Sequence, residues 1–112
     1  MTTARIKRTG RSLSIAVSGH AGYGPRGSDI VCAAVSMLVQ TLAASLAQEE
    51  KKGGLKHYRC QMEDGSIEIQ ADMLPRNRQA IDGMINMTTI GFRLLEEQYP
   101  SYVSVHLDNR PP

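Results

Sequence analysis

The sequence has few of the residues that build aromatic cores or disulfide scaffolds. It contains no Trp, a single Phe and only two cysteines, Cys32 and Cys60. A disulfide-dense fold is excluded because such folds need several cysteine pairs, so the core must be aliphatic with Met as filler. No CxxC pair is present and the His residues are scattered. The spacing of a structural zinc site is therefore missing as well.

The sequence also has only a small excess of one charge and little that resembles a membrane-spanning segment. The 112 residues carry 13 basic and 11 acidic side chains, a net charge of +2, which argues against direct nucleic-acid binding through a concentrated basic patch. The N-terminus, MTTARIKRTG, lacks the apolar core of a signal peptide. The most apolar run, 30–47, is interrupted by polar residues and is near the membrane-spanning minimum of about 17–25 residues. We interpret it as a buried helix, and expect a cytoplasmic protein with no membrane partner.

Hydrophobic periodicity predicts one domain, 1–112, with five strands and two helices. The predicted strands span 4–8, 12–18, 55–62, 66–71 and 102–107, and the predicted helices span 29–51 and 77–98. Residues 109–112 are predicted to form a loose tail. The order β-β-α-β-β-α-β predicts a two-layer α+β domain with two helices packed on one face of a five-stranded mixed sheet.

The same alternation predicts which side chains face the core. They are Leu13, Ile15, Val17, Tyr58, Cys60, Met62, Ile67, Ile69, Ala71, Ile81, Ile85, Thr88, Phe92, Leu95, Val103, Val105 and Leu107. Sheet edges and the apolar face of the Ala-rich first helix would stay uncovered in a monomer. A homodimer that covers both is therefore expected.

Residues 19–28 join the second strand to the first helix and contain four Gly and one Pro. This composition excludes helix or strand interior and predicts a loop, and a long loop in a small domain is often functional. Gly19, Gly22 and Gly27 are expected to meet backbone requirements, because Gly reaches positive φ easily. A phosphate-binding loop is disfavoured, since no Gly-Lys-Ser/Thr sequence follows.

Cys32 lies in the first turn of the predicted helix, with Asp29 as the N-cap. There the free backbone N–H groups and the helix dipole favour a thiolate, and the same N–H groups are candidates to hold an oxyanion. His20 ends the preceding strand and would reach Cys32 if the loop folds back. A Cys–His pair is the minimum for nucleophilic acyl transfer. The sequence leaves two roles open for Asp29: the N-cap of the helix, or a third group that orients His20.

The residues alone leave other interpretations open. A Cys in an apolar helix is usually a small core residue. Ser36, one turn after Cys32, either lines the site or bonds a helix carbonyl. Two further functions remain: a non-catalytic binding module for the ribosome or RNA, and a redox sensor. The sensor would need the Cα atoms of Cys32 and Cys60 within about 7 Å, which conflicts with a core-facing Cys60.

The motif formed by GHA at 19–21, GSDIVCA at 27–33 and Ser36 resembles that of the ribosomal-processing cysteine proteases called Prp. The resemblance extends over essentially the whole chain in length and element order. It implies that Cys32 is the nucleophile and His20 the base. The substrate-binding residues expected with them are Gly19, Gly22, Tyr23, Gly27 and Ser36.

The resemblance also implies a substrate. Members of this family remove a short N-terminal extension, after an aromatic residue, from the precursor of large-subunit ribosomal protein L-twenty-seven. They are cytoplasmic homodimers, and neither a metal nor a cofactor is implied. We expect the loop 19–28 to be mobile until substrate orders it, and Tyr23 to cover an aromatic substrate side chain.

Overall fold

Two β-hairpins alternate with two helices along the chain, and a last strand completes the sheet. In the computed structural model, which describes residues 1–110, helix α1 spans Ile30–Lys51 and helix α2 spans Arg78–Gln98, after a short 3-10 turn. The strands are β1 (Thr2–Thr9), β2 (Ser12–Ser18), β3 (Leu55–Glu63), β4 (Ser66–Met73) and β5 (Val103–Arg110). The predicted element order and α+β class are confirmed.

The five strands form one mixed sheet in the order β3-β4-β2-β1-β5. Strands β1 and β5 are parallel, and the other neighbours are antiparallel. Pairing of β5 with β1 continues to Arg110, opposite Thr9. The prediction of a loose tail is therefore wrong for residues 109 and 110, because they extend the β-ladder; residues 111 and 112 lie outside the described part of the chain.

The core lies between one face of the sheet and the two helices. Along α1 the buried stripe contains Val31, Val35, Val39, Leu42, Ala43 and Leu46. This helix is long and apolar enough to cross a membrane by composition alone, but its stripe packs into the core of the domain. In α2, four of the five predicted core residues, Ile81, Ile85, Thr88 and Phe92, are buried, and Leu95 packs partly buried against them.

Two predicted core residues are exposed instead. Met62 is 51% exposed and Leu107 is 40% exposed. Both lie on the edge strands β3 and β5, beyond the residues at the start of each strand, such as Leu55 and Val103, that are buried. Strand alternation assigns a residue to a face, but burial also requires an element packed over that face.

Helix α1 begins where the Asp29 carboxylate binds its first turn. Oδ1 accepts hydrogen bonds from the N–H groups of Val31 at 2.9 Å and Cys32 at 3.0 Å. Oδ2 accepts from Tyr23 at 2.9 Å and Gly24 at 3.1 Å. Burial opposes ionisation of this carboxyl, but the four N–H donors outweigh it and hold the pKa of Asp29 below its ordinary value of 3.8. One side chain thus fixes both the helix start and the loop before it.

Replacing Leu46 tests the placement of the core. Leu46 is 0% exposed, so Leu46→Ala should lower the free energy of unfolding by about 2–5 kcal/mol through lost contacts and a cavity. Leu107→Ala is the matched control, because the same atoms are removed from a side chain that is 40% exposed. Urea denaturation followed by circular dichroism measures both variants, and equal losses would contradict the assignment of Leu46 to the core.

The lowered pKa of Asp29 predicts a pH-dependent stability. The carboxylate contributes stability that is fully present above the ordinary pKa of 3.8 and is lost as pH falls through the lowered pKa of the folded state. Asp29→Asn keeps one acceptor oxygen and does not titrate. The difference in unfolding free energy between wild type and Asp29→Asn should therefore be largest near neutral pH and shrink in acid. A difference that stays constant down to about pH 2 would contradict this prediction.

Candidate active site

The structure brings the two residues of the predicted catalytic pair to one site. His20 follows the end of β2, and Cys32 lies in the first turn of α1. Both residues line two adjoining cavities, of about 300 Å³ and 470 Å³. The connecting loop folds back as predicted, so that strand end and helix start face the same space.

The sulfur of Cys32 has a backbone partner that the sequence did not indicate as functional. The N–H of Ala21 donates to Cys32 Sγ at 3.2 Å, and the Ala21 side chain is buried. This hydrogen bond fixes the position of the sulfur relative to the start of the loop. The sequence signal that points to Ala21 is its position directly after His20 in the GHA motif. Cys60, on β3, is also a free thiol but lines neither cavity.

His20 lies against the turn between β3 and β4. A Cβ atom added to Gly65 would lie 3.0 Å from His20 Nε2, and Nε2 is 3.8 Å from Asp64 Oδ1. Within residues 1–110 no hydrogen bond joins the imidazole to the thiol of Cys32. Asp64 was missed by sequence reasoning, because its position depends on the pairing of β4 with β2, which places Ser66 opposite Ser18.

The geometry decides between the two roles left open for Asp29 and corrects one expectation about the helix start. The carboxylate of Asp29 is directed at four backbone N–H groups, so it acts as a cap and a loop clamp rather than as the group that orients His20. The N–H groups of Val31 and Cys32 are bound to Asp29 Oδ1. The prediction that the free N–H groups of this turn hold an oxyanion is therefore wrong for these two.

Four of the five predicted substrate-binding residues line the cavities. Gly19 and Ser36 line the smaller cavity, and Gly22, Gly27 and Ser36 line the larger one. The three glycines have positive φ, as predicted. At Gly19 a side chain is also excluded by space, because a Cβ would lie 2.4 Å from the carbonyl oxygen of Met1. Ser36 Oγ accepts a hydrogen bond from Gln40 Nε2 at 2.6 Å rather than bonding a helix carbonyl.

Tyr23 is the predicted substrate-binding residue that lines neither cavity. Its ring makes edge-to-face contacts with Tyr99 and Tyr102, at centroid distances of 5.3 and 5.2 Å. Such pairs favour this perpendicular geometry. Tyr23 therefore anchors the loop on the end of α2 and the start of β5. Mobility of the loop without substrate stays a prediction.

The smaller cavity combines an apolar floor with a polar rim. Val17, Val35 and Ile67 contribute from β2, α1 and β4, and Met62 adds an exposed apolar side chain beside them. Ser36, Gln40, Glu63 and Asp64 supply polar groups around the opening. Sites of this kind hold an apolar group in the floor while polar groups fix its orientation.

Comparisons with known proteins agree with this geometry. A family model described as cysteine protease Prp matches residues 1–104. The solved structure of SMU.848 from Streptococcus mutans is 26% identical, with a TM-score of 0.70 and coverage of 98% of this chain and 96% of that one. No curated protein is significantly similar to the chain in sequence.

A second structure is that of the essential ribosomal processing protease Prp from S. aureus with a covalently linked product peptide. It is 22% identical, with a TM-score of 0.72 and coverage of 96% of this chain and 100% of that one, a likeness that establishes the fold. The family match, by contrast, extends over residues 1–104 and includes the whole candidate site. On that match the chain belongs to the cysteine protease Prp family and is a cysteine protease.

Proposed function

We propose that the chain is a cytoplasmic endopeptidase in which Cys32 is the nucleophile and His20 the general acid and base, acting on the precursor of large-subunit ribosomal protein L-twenty-seven. The observation that carries the proposal is the shared site. Cys32 and His20 line the same two cavities, and the Ala21 N–H donates to the Cys32 sulfur. Cys60 lines neither cavity, and its sulfur does not accept the Ala21 N–H.

The reaction follows from these groups. The thiolate of Cys32 attacks the scissile carbonyl carbon, forming a C–S bond and an oxyanion. His20 then donates a proton to the leaving amine, the C–N bond breaks, and an acyl-enzyme remains. His20 next takes a proton from water, whose oxygen attacks the thioester and releases the acid product and the thiol. The Ala21 N–H, which donates to the sulfur, is our candidate donor to the oxyanion of the intermediate.

The pair does not yet form a hydrogen bond in the structure. His20 is close to half exposed, and its loop is held by Asp29 and Tyr23 on the helix side. Catalytic hydrogen bonds often tighten only when substrate is bound. Closure around a peptide would bring imidazole and thiol together, so specificity arises partly from induced fit.

The apolar floor of the smaller cavity supports an apolar or aromatic side chain at the cleavage point. Its volume of about 300 Å³ is at the lower end of ligand pockets, which suits one side chain. The polar groups at its rim offer hydrogen-bond partners to a peptide backbone. This agrees with cleavage after an aromatic residue.

The choice of a ribosomal substrate has separate support. The S. aureus relatives are described as an essential ribosomal processing protease in complex with a covalently linked product peptide and with a substrate peptide. The GHA and GSDIVCA motifs of this chain support the same role, with removal of an N-terminal extension from the L-twenty-seven precursor. Such a substrate is made in the cytoplasm, which is where we place the protein.

Replacement of each cysteine tests the catalytic assignment. Cys32→Ala should reduce cleavage of the host L-twenty-seven precursor by at least about a thousandfold, since a covalent mechanism loses its nucleophile. Cys60→Ala is the matched control and should keep activity. Mass spectrometry of the intact precursor measures the cleaved fraction and the cleavage position.

The same measurement separates the parts of the proposal. Activity that survives Cys32→Ala would reject the nucleophile. A precursor left intact by the wild type, while an unrelated peptide with an aromatic residue is cut at Cys32, would reject the substrate and keep the chemistry.

The homodimer is proposed on a separate surface, the helix patch, defined as Met37, Leu38, Met87, Gly91 and Leu94. These residues of α1 and α2 line an apolar groove of about 460 Å³. Met37, Met87 and Leu94 are 63%, 71% and 50% exposed, and large exposed apolar patches mark interaction sites. We expect a second copy of the chain to occupy this groove in the predicted homodimer. The groove shares no lining residue with the two cavities that Cys32 and His20 line, so a second copy would not occupy those residues.

A charge in the helix patch should weaken the dimer. Met87→Lys buries an unpaired ammonium group at the interface, so we expect the dimer Kd to rise at least about tenfold. Gln70→Lys places the same charge on an exposed residue of the inner strand β4, outside both the patch and the sheet edges, and should leave the dimer Kd unchanged. Sedimentation equilibrium measures both. A wild type that is monomeric at about 100 μM, a concentration at which even weak dimers form, would reject the dimer.

A further inference from the structure

We propose that Asp64, in the turn between β3 and β4, is a positioning residue that holds the imidazole of His20 in its working orientation. The inference rests on the proposed catalytic pair of Cys32 and His20. Its starting observation is the distance of 3.8 Å between Asp64 Oδ1 and His20 Nε2. Both residues also line the two cavities that contain Cys32.

The fold fixes this proximity through the backbone. The N–H of Gly19 donates to the carbonyl oxygen of Gly65 at 2.8 Å, which ties the end of β2 to the turn. Gly65 has φ of +76°, and a Cβ there would lie 3.0 Å from His20 Nε2. Because Gly65 has no side chain, the imidazole ring of His20 fits beside Asp64. The carboxylate thus comes from a turn that is itself held to the strand carrying the base.

The other candidate carboxylate near the site is already bound. Each oxygen of Asp29 already accepts two backbone N–H groups, so neither is available to bind the imidazole of His20. Among residues 1–110, Asp64 is the carboxylate within ion-pair distance of His20. With Nε2 facing Asp64, Nδ1 is the ring nitrogen left for the thiol and the leaving amine. A base whose second nitrogen is held by a third group is the usual arrangement of such sites.

Arg26 of the glycine-rich loop shares the same carboxylate. Its guanidinium binds Asp64 Oδ2, while Oδ1 faces His20. Arg26 and Asp64 are 72% and 66% exposed, and exposed ion pairs contribute little to stability. Asp64 could therefore act in two ways: directly on His20, or only as the anchor of Arg26 and its loop. These alternatives predict different behaviour of the Arg26 and Asp64 variants.

The test compares Asp64→Asn, Asp64→Glu, Arg26→Gln and the double variant Arg26→Gln/Asp64→Asn on a peptide that spans the cleavage site. Asp64→Asn should lower kcat about two- to fivefold, the coupling of an exposed ion pair, with KM unchanged. Asp64→Glu should restore most of kcat. Arg26→Gln should keep kcat near wild type, and Asp64→Asn should still lower it in that background. Thermal melting checks that each variant is folded.

Three results would overturn the proposal. The first is a wild-type kcat for Asp64→Asn. The second is an Arg26→Gln variant as slow as Asp64→Asn, with no further loss in the double variant, because the ion pair would then be only a loop tether. The third is a rise in KM alone, which would make Asp64 a substrate contact.

A His20→Ala background separates this inference from the catalytic assignment. There Asp64→Asn should have no further effect, because the residue acts through His20. An equal loss in that background would reject the positioning role while leaving Cys32 as nucleophile. Activity in Cys32→Ala would instead reject the catalytic pair, whatever the Asp64 variants do.

Discussion

The carboxylate of Asp29 is the interaction on which the site depends. One oxygen closes the first turn of α1, and the other holds the backbone at Tyr23 and Gly24. Cys32 is in that turn, and Ala21, whose N–H reaches the sulfur, lies at the beginning of the same loop. Cys32 and the N–H that donates to its sulfur are thus positioned by one ionised group. Its lowered pKa keeps that group charged wherever the enzyme works near neutral pH.

The opposite side of the site is built by the sheet. Pairing of β2 with β4 sets Ser18 against Ser66, which brings the turn of the second hairpin to the strand end that carries His20. His20 therefore lies between the loop that Asp29 holds and a hairpin turn. Helix, loop and turn each contribute one wall, and the core beneath them supplies the apolar floor of the smaller cavity. Relative movement of the loop and the turn would change the His20–Cys32 distance without disturbing the core.

The two surfaces of the helix layer differ in burial. The inner stripe of α1 packs into the core with Val39 and Leu46 fully buried, whereas Met37 on the same helix is exposed. A helix that is apolar nearly all round has more apolar surface than the core of one domain covers, which is the basis of the proposed homodimer. The candidate site lies at the N-terminal end of α1, and its two cavities share no lining residue with the outer groove. The proposed dimer and the proposed catalytic pair would therefore use different residues of one helix.

The sequence by itself determined the elements, most of the core and the proposed catalytic pair. Alternation in the strands, the Asp29 cap and the spacing from His20 to Cys32 are short-range signals that the printed residues contain. The tertiary structure alone decided that Asp64 lies beside His20, that Tyr23 packs on Tyr99 and Tyr102, and that Met62 and Leu107 are exposed. Each of these depends on strand order or on which element covers a face, and residues 44 positions apart in the chain, such as His20 and Asp64, meet only because β4 pairs with β2.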